Sequence, residues 1–166
     1  MKRWVVILVV GLFILFGIGQ AQSYVGFGLS YIALTAPPQY GLPILPELQV
    51  GGLTAPEFGS VELRASLGTL LLFSNIGFDA LASVPFPNAS LRLYLGGGPD
   101  VLVLMGGDTL PGQESPFVFF GLHGTVGVEP LTGSFRPFAE LQPAVAFRSR
   151  ELVIGLRARA GLNFYF

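Results

Sequence analysis

The last sixteen residues, Glu151 to Phe166, alternate with period two almost without interruption. One set, Leu152, Ile154, Leu156, Ala158, Ala160, Leu162, Phe164 and Phe166, is wholly apolar. The other holds Glu151, Gly155, Arg157, Arg159, Gly161, Asn163 and Tyr165, with Val153 as its one aliphatic. Successive side chains of a strand point to opposite faces, so the stretch reads as one long strand with an oily side and a charged side. Long strands of this kind suit a closed barrel that meets lipid on one face and polar groups on the other.

Seven further segments alternate in the same way. They are Tyr24–Leu34, a short one around Glu47–Gly51, Ser60–Phe73, Ile76–Val84, Ser90 to about Met105, Pro116–Glu129, and one from Phe135 to Arg148. Turn-rich stretches divide them: Thr35–Pro46, Thr54–Gly59, a hairpin candidate at Ser74-Asn75, Pro85–Asn88, Gly106–Ser115, Pro130–Gly133 and Ser149-Arg150. Two features disturb the pattern. The second segment is short, and Pro137 and Pro143 fall inside the seventh, where proline removes a ladder donor.

Which face is wet follows from composition. Hydrophobic residues make up 51% of the chain and charged ones only 11%, against roughly 25% charged in soluble domains. That is too few to keep the outside of a soluble particle hydrated. Glycines recur on the polar face (Gly26, Gly28, Gly51, Gly68, Gly77, Gly121, Gly127, Gly155, Gly161), as a cramped interior requires. Aromatics such as Phe27, Tyr31, Phe135, Phe147 and Phe164 recur near strand ends on the apolar face, as in interfacial girdles. The expectation is therefore an all-β, closed, antiparallel, eight-stranded transmembrane barrel with its charges inside. Closure also removes the sticky edges that so apolar an open sheet would carry.

The first residues read as a cleaved signal peptide over residues 1–21: Lys2 and Arg3, an apolar run from Trp4 to Ile18, then Gly19-Gln20-Ala21. The barrel domain is then 22–166. Removing Lys2 and Arg3 from the nine basic residues leaves seven against ten acidic ones. Glu57, Asp108, Glu114 and Arg150 fall in connections, and the other thirteen fall on the less apolar face of a strand. With the amino terminus in the periplasm, the two longest connections, Thr35–Pro46 and Gly106–Ser115, face outward, matching the usual asymmetry of such barrels.

The closing strand, ending on Phe166 with Phe164, Leu162 and Ala160 at alternate positions before it, resembles that of small eight-stranded outer-membrane β-barrels of the OmpA/OmpX-like class. The resemblance extends over Tyr24 to Phe166. It implies residence in the cell outer membrane among its lipids. It also implies that Leu162, Phe164 and Phe166 form the signal read by the barrel-assembly machinery.

The polar face carries Glu62, Arg64, Asp79, Arg92, His123, Arg136, Glu140, Arg157 and Arg159, with charges nearly in balance. An eight-stranded barrel is just wide enough for side chains to fill it, so these residues are expected to form a lumenal network that plugs the tube. No catalytic, cofactor or metal residues are assigned. The only histidine, His123, shares its face with Thr125 and has Glu140 on the next strand, which could suggest a hydroxyl nucleophile, base and orienter. Small outer-membrane lipid A deacylases have a serine where this chain has Thr125, and the parity sends His123 into the lumen, away from lipid. His123 therefore reads as a polar filler. The basic residues of the mature chain are scattered arginines, which gives no support for nucleic-acid binding.

Functionally, the sequence points to a monomeric, non-enzymatic membrane barrel with a structural or surface-interaction role, its outer loops meeting extracellular or envelope partners. The alternatives are a narrow pore or transporter for small or hydrophobic solutes, and a lipid-modifying enzyme centred on His123.

Overall fold

A computed structural model of the chain describes residues 22–34, 40–41, 44–53, 60–70, 73–84, 90–104, 117–148 and 151–166. The signal peptide and the connections Thr54–Gly59, Pro85–Asn88, Gly106–Ser115 and Ser149-Arg150 lie outside these residues. The elements are β1 (Gln22–Leu34), β2 (Tyr40–Gly41), β3 (Leu45–Leu53), β4 (Val61–Leu70), β5 (Phe73–Val84), β6 (Leu91–Leu104), β7 (Phe117–Pro130), β8 (Phe135–Arg148) and β9 (Glu151–Tyr165).

Each long strand pairs antiparallel with its neighbour in sequence, and β9 pairs with β1 from Tyr24↔Tyr165 to Leu34↔Gly155. That last ladder closes the sheet into an eight-stranded barrel. The two-residue β2 continues the ladder that β3 makes with β1, through Ala33↔Gly41 and Leu34↔Tyr40. Both chain-terminal strand ends, Gln22 and Tyr165, lie at one mouth of the tube, called here the terminal end; Leu34, Leu45, Leu70, Phe73 and Leu104 lie toward the far end.

Alternation decides what faces where. On β9, Leu156 is 48% exposed and its neighbour Arg157 only 4%. On β1, Phe27 is 67% exposed while Tyr24 and Ser30 are buried. The outer wall is thus a continuous apolar surface, and the polar side chains point into the tube.

Three local expectations need correction. Ser74 and Asn75 are not a hairpin turn but part of β5, paired with Thr69 and Gly68 of β4; the connection falls at 71–72. The parity of β5 carries Asn75 inward, where it is buried. The second barrel strand is longer than the sequence suggested, since Leu45 and Pro46, assigned to the connection Thr35–Pro46, both pair with β1. Finally, β8 runs unbroken through both prolines. Pro137 and Pro143 face outward opposite Leu162 and Leu156 of β9. On the β7 side the ladder skips from His123↔Ala144 to Val126↔Leu141, and Pro143 packs beside Gly124. A proline ring is accommodated where the missing donor coincides with a locally opened ladder. At the terminal end, Gly133 takes φ 98° in the short connection between β7 and β8, a left-handed conformation that glycine adopts without a Cβ clash.

Candidate functional site: the polar lumen

The interior is built in layers. Nearest the terminal end, Tyr24 and Tyr165 stack with ring centroids 4.9 Å apart, and the Arg136 guanidinium sits 3.8 Å from the Tyr165 ring centre. The Tyr24 hydroxyl donates to Glu62, and the Tyr165 hydroxyl donates to Glu129 at 2.6 Å. Arg92 bridges the same two carboxylates through Nη2, at 2.5 Å from Glu62 and 2.9 Å from Glu129. Arg136 reaches Glu129 at 3.8 Å and donates through Nε to the Gly133 carbonyl at 3.0 Å.

The middle layer centres on Arg64, 1% exposed. Its Nε donates to Asp79 at 3.0 Å, and its two terminal nitrogens donate to Glu140. Glu140 also accepts from the Tyr94 hydroxyl at 2.7 Å and from Arg159 at 2.9 Å. Arg159 pairs in addition with Glu47 and donates to Gln49 at 2.7 Å; Gln49 in turn donates to Asn163 at 2.6 Å. Bidentate guanidinium–carboxylate pairs of this kind satisfy both charges within one plane. Gly127 makes room for them: a Cβ there would lie 2.5 Å from the Tyr94 ring.

His123 and Thr125 both turn to Asp79. His123 Nε2 lies 2.8 Å from Asp79 Oδ1, and the Thr125 hydroxyl donates to that same oxygen at 2.8 Å. The Thr125 oxygen accepts from Gln142 at 3.1 Å. The carboxylate thus stands between imidazole and hydroxyl, so His123 is not hydrogen-bonded to the Thr125 hydroxyl as the suggested nucleophile–base pair requires. Glu140, the orienter suggested by the sequence, is taken up by Arg64, Tyr94 and Arg159 instead. The His123 side chain is fully buried.

Arg157 differs from its neighbours. Its Nε donates to Gln142 at 2.5 Å and its Nη1 donates to Asn75, but its Nη2 has no partner. Beyond it toward the far end the lumen turns apolar. Ile32, Leu45 and Leu102 form a buried cluster, with Leu34, Leu70, Phe73 and Phe119 packed against it.

All nine residues singled out from the sequence therefore line one connected interior. Several members were missed: Tyr24, Tyr94, Tyr165, Glu129, Glu47, Gln49, Asn75, Gln142 and Asn163. All lie on the less apolar face of their own strands, which was the available signal; Asn75 shares the parity of Asp79 but was hidden by its assignment to a turn. Leu162, Phe164 and Phe166 face outward at the terminal end, where Phe164 packs on Phe135 and Phe166 at 5.0 and 6.2 Å. Among the described residues, no three His, Cys, Asp or Glu side chains are placed to hold a metal ion.

No protein-family model matches the chain, and no curated protein matches it in sequence. Solved structures do. The N-terminal β-barrel domain of Pseudomonas aeruginosa OprF is 13% identical with a TM-score of 0.58, covering 89% of this chain and 99% of that one. Neisserial surface protein A is 14% identical with a TM-score of 0.59, covering 87% and 97%. Ail, the attachment invasion locus protein of Yersinia pestis, is 15% identical with a TM-score of 0.50, covering 88% and 99%. The chain shares the closed eight-stranded fold of these barrels over nearly its whole described length.

Proposed function

We propose that this protein is an integral outer-membrane barrel, exported by the signal peptide at residues 1–21, whose packed lumen makes it a rigid stave that presents its far-end loops to partners outside the cell or in the envelope. The observation that carries the reading is the inversion across the wall: leucines and phenylalanines are exposed all round the outside while arginines and carboxylates are buried within. In water that arrangement would leave an apolar belt far larger than a soluble monomer tolerates. In a bilayer it satisfies every strand, because the closed ladder leaves no unpaired edge in hydrocarbon. Two of the similar barrels are described as a surface protein and an attachment invasion locus protein, in keeping with a surface-interaction role. A packed interior and the engagement of both His123 and Thr125 by Asp79 favour a non-enzymatic, non-conducting barrel.

Outer-membrane fractionation together with migration before and after boiling tests the placement. Recovery in a soluble fraction, with no heat-dependent change in migration, overturns it. Cysteine scanning with a lipid-phase quencher sharpens the result: a label at Leu156 is quenched from the acyl region and one at Arg157 is not. Stable single-channel currents in planar bilayers defeat the packed lumen. Removing Phe166 lowers the fraction assembled in cells while leaving the barrel refolded in vitro about as stable, if Leu162, Phe164 and Phe166 act as the signal to the assembly machinery.

A further inference from the structure

Arg157 is, among the described residues, the lumenal guanidinium with no carboxylate within ion-pair distance, although it is only 4% exposed. A buried charge left without a counterion is strongly unfavourable. Two other buried polar atoms beside it also lack partners, Ser66 Oγ and His123 Nδ1. The three groups converge on one spot. Gly77 sits between Ser66 of β4 and Asp100 of β6 in the register. A Cβ built on Gly77 would lie 3.0 Å from Ser66 Oγ, 3.8 Å from Arg157 Nη2 and 3.8 Å from His123 Cε1. The missing side chain therefore leaves a cradle floored by a glycine and walled by a hydroxyl, a guanidinium N–H and the polarised C–H edge of an imidazole.

Through Arg157, which lines both, the cradle adjoins a cavity at the far end. Arg157, Asn75 and Asp100 form its polar floor, and Ile32, Leu102 and Phe119 are among its apolar walls. It leaves about 30 Å³ for the centres of water-sized molecules, where roughly 10–15 Å³ suffices for one. Small side chains open it: Ala144, Ala146 and Gly155 line it from β8 and β9.

We propose that this cradle is a binding site for a small monovalent anion of halide size, held on Arg157 Nη2 and Ser66 Oγ in front of Gly77. A Cβ on Gly77 would already lie 3.0 Å from Ser66 Oγ, so the cradle suits a small ion, and the donor set supplies one full positive charge and a neutral hydroxyl. Asp100 limits the affinity. Its carboxylate lines the same cavity and lies 4.0 Å from His123 Nδ1, so it competes with the anion for the positive potential. The assignment is independent of which solvent meets the outer wall.

The test uses the folded full barrel in detergent, with bromide and chloride as probes and gluconate at equal ionic strength as the control. Anomalous scattering from bromide-grown crystals places a peak beside Arg157 Nη2 and Gly77. Halide raises the unfolding midpoint of the native protein, and gluconate does not. Gly77→Ala fills the cradle without changing charge and raises the halide dissociation constant at least tenfold. Arg157→Gln abolishes the halide response. Asp100→Asn lowers the dissociation constant at least threefold while leaving the donors in place. Water in the cradle with no anomalous peak overturns the proposal. So does a halide response that survives unchanged in both Gly77→Ala and Arg157→Gln, or one reproduced by gluconate. Asp100→Asn keeps the test decisive should either of the other variants fail to fold, since a site that ignores removal of the competing carboxylate is not an anion site.

Discussion

Arg64 and Arg157 are both buried guanidinium groups in one tube, yet they are stabilised in different ways. Arg64, in the middle layer, meets two carboxylates, Asp79 and Glu140, and the layers around it on the terminal side are interlocked with tyrosines and further ion pairs. Arg157, toward the far end, meets only the amides Gln142 and Asn75 and borders a cavity under an apolar cluster. One half of the lumen is closed by paired charge. The other is closed by aliphatic packing over small residues. The comparison teaches that a barrel interior need not be uniformly polar. Charges are matched where arginines meet carboxylates inside the tube, and apolar side chains seal the end where Ile32, Leu45 and Leu102 come together.

The comparison can be broken by removing one member at a time and measuring the urea midpoint of the refolded barrel by heat-modifiable gel migration. The largest effect is expected for Arg64→Ala, which leaves Asp79 and Glu140 buried without their shared cation and destabilises by about 3–5 kcal/mol. Next comes Leu45→Ala at the far end, where a fully buried side chain leaves a void beside Ile32 and Leu102; the loss is about 3 kcal/mol. Tyr165→Phe removes one donor to Glu129 but keeps the ring on Tyr24, a loss of about 1–2 kcal/mol. Arg157→Gln in halide-free buffer strands no carboxylate and changes stability by about 1 kcal/mol or less. Equal losses for Arg64→Ala and Arg157→Gln would erase the distinction between the two halves.

The legible part of the fold was parity. Leu156 outside and Arg157 inside could be read from Glu151–Phe166 before any neighbour was known, and the same reading held on β4, β7 and β8. Pairing was not legible. The alternative that grouped Thr125 with His123 and Glu140 rested on a shared face and adjacent strands. In the barrel both side chains go to Asp79, which lies more than forty residues away in sequence. Asn75 shows the complementary failure. Ser-Asn has strong turn chemistry, and it outweighed a parity that places Asn75 in the lumen as an acceptor for Arg157. Pro137 and Pro143 looked like breaks because proline lacks a donor, but the ladder opens beside Pro143 where that donor is missing.

Alternation along single strands determined the two faces of the wall and the list of groups that share one, since a period of two is a local property of the backbone; composition, with 51% hydrophobic and 11% charged residues, decided which face points inward. Which carboxylate meets which arginine, where the cavity lies, and why Arg157 alone lacks a counterion among the described residues were decided by the closed register of eight strands. That register sets the height of each side chain in the tube and the neighbours it meets across it, and neither quantity exists until β9 has joined β1.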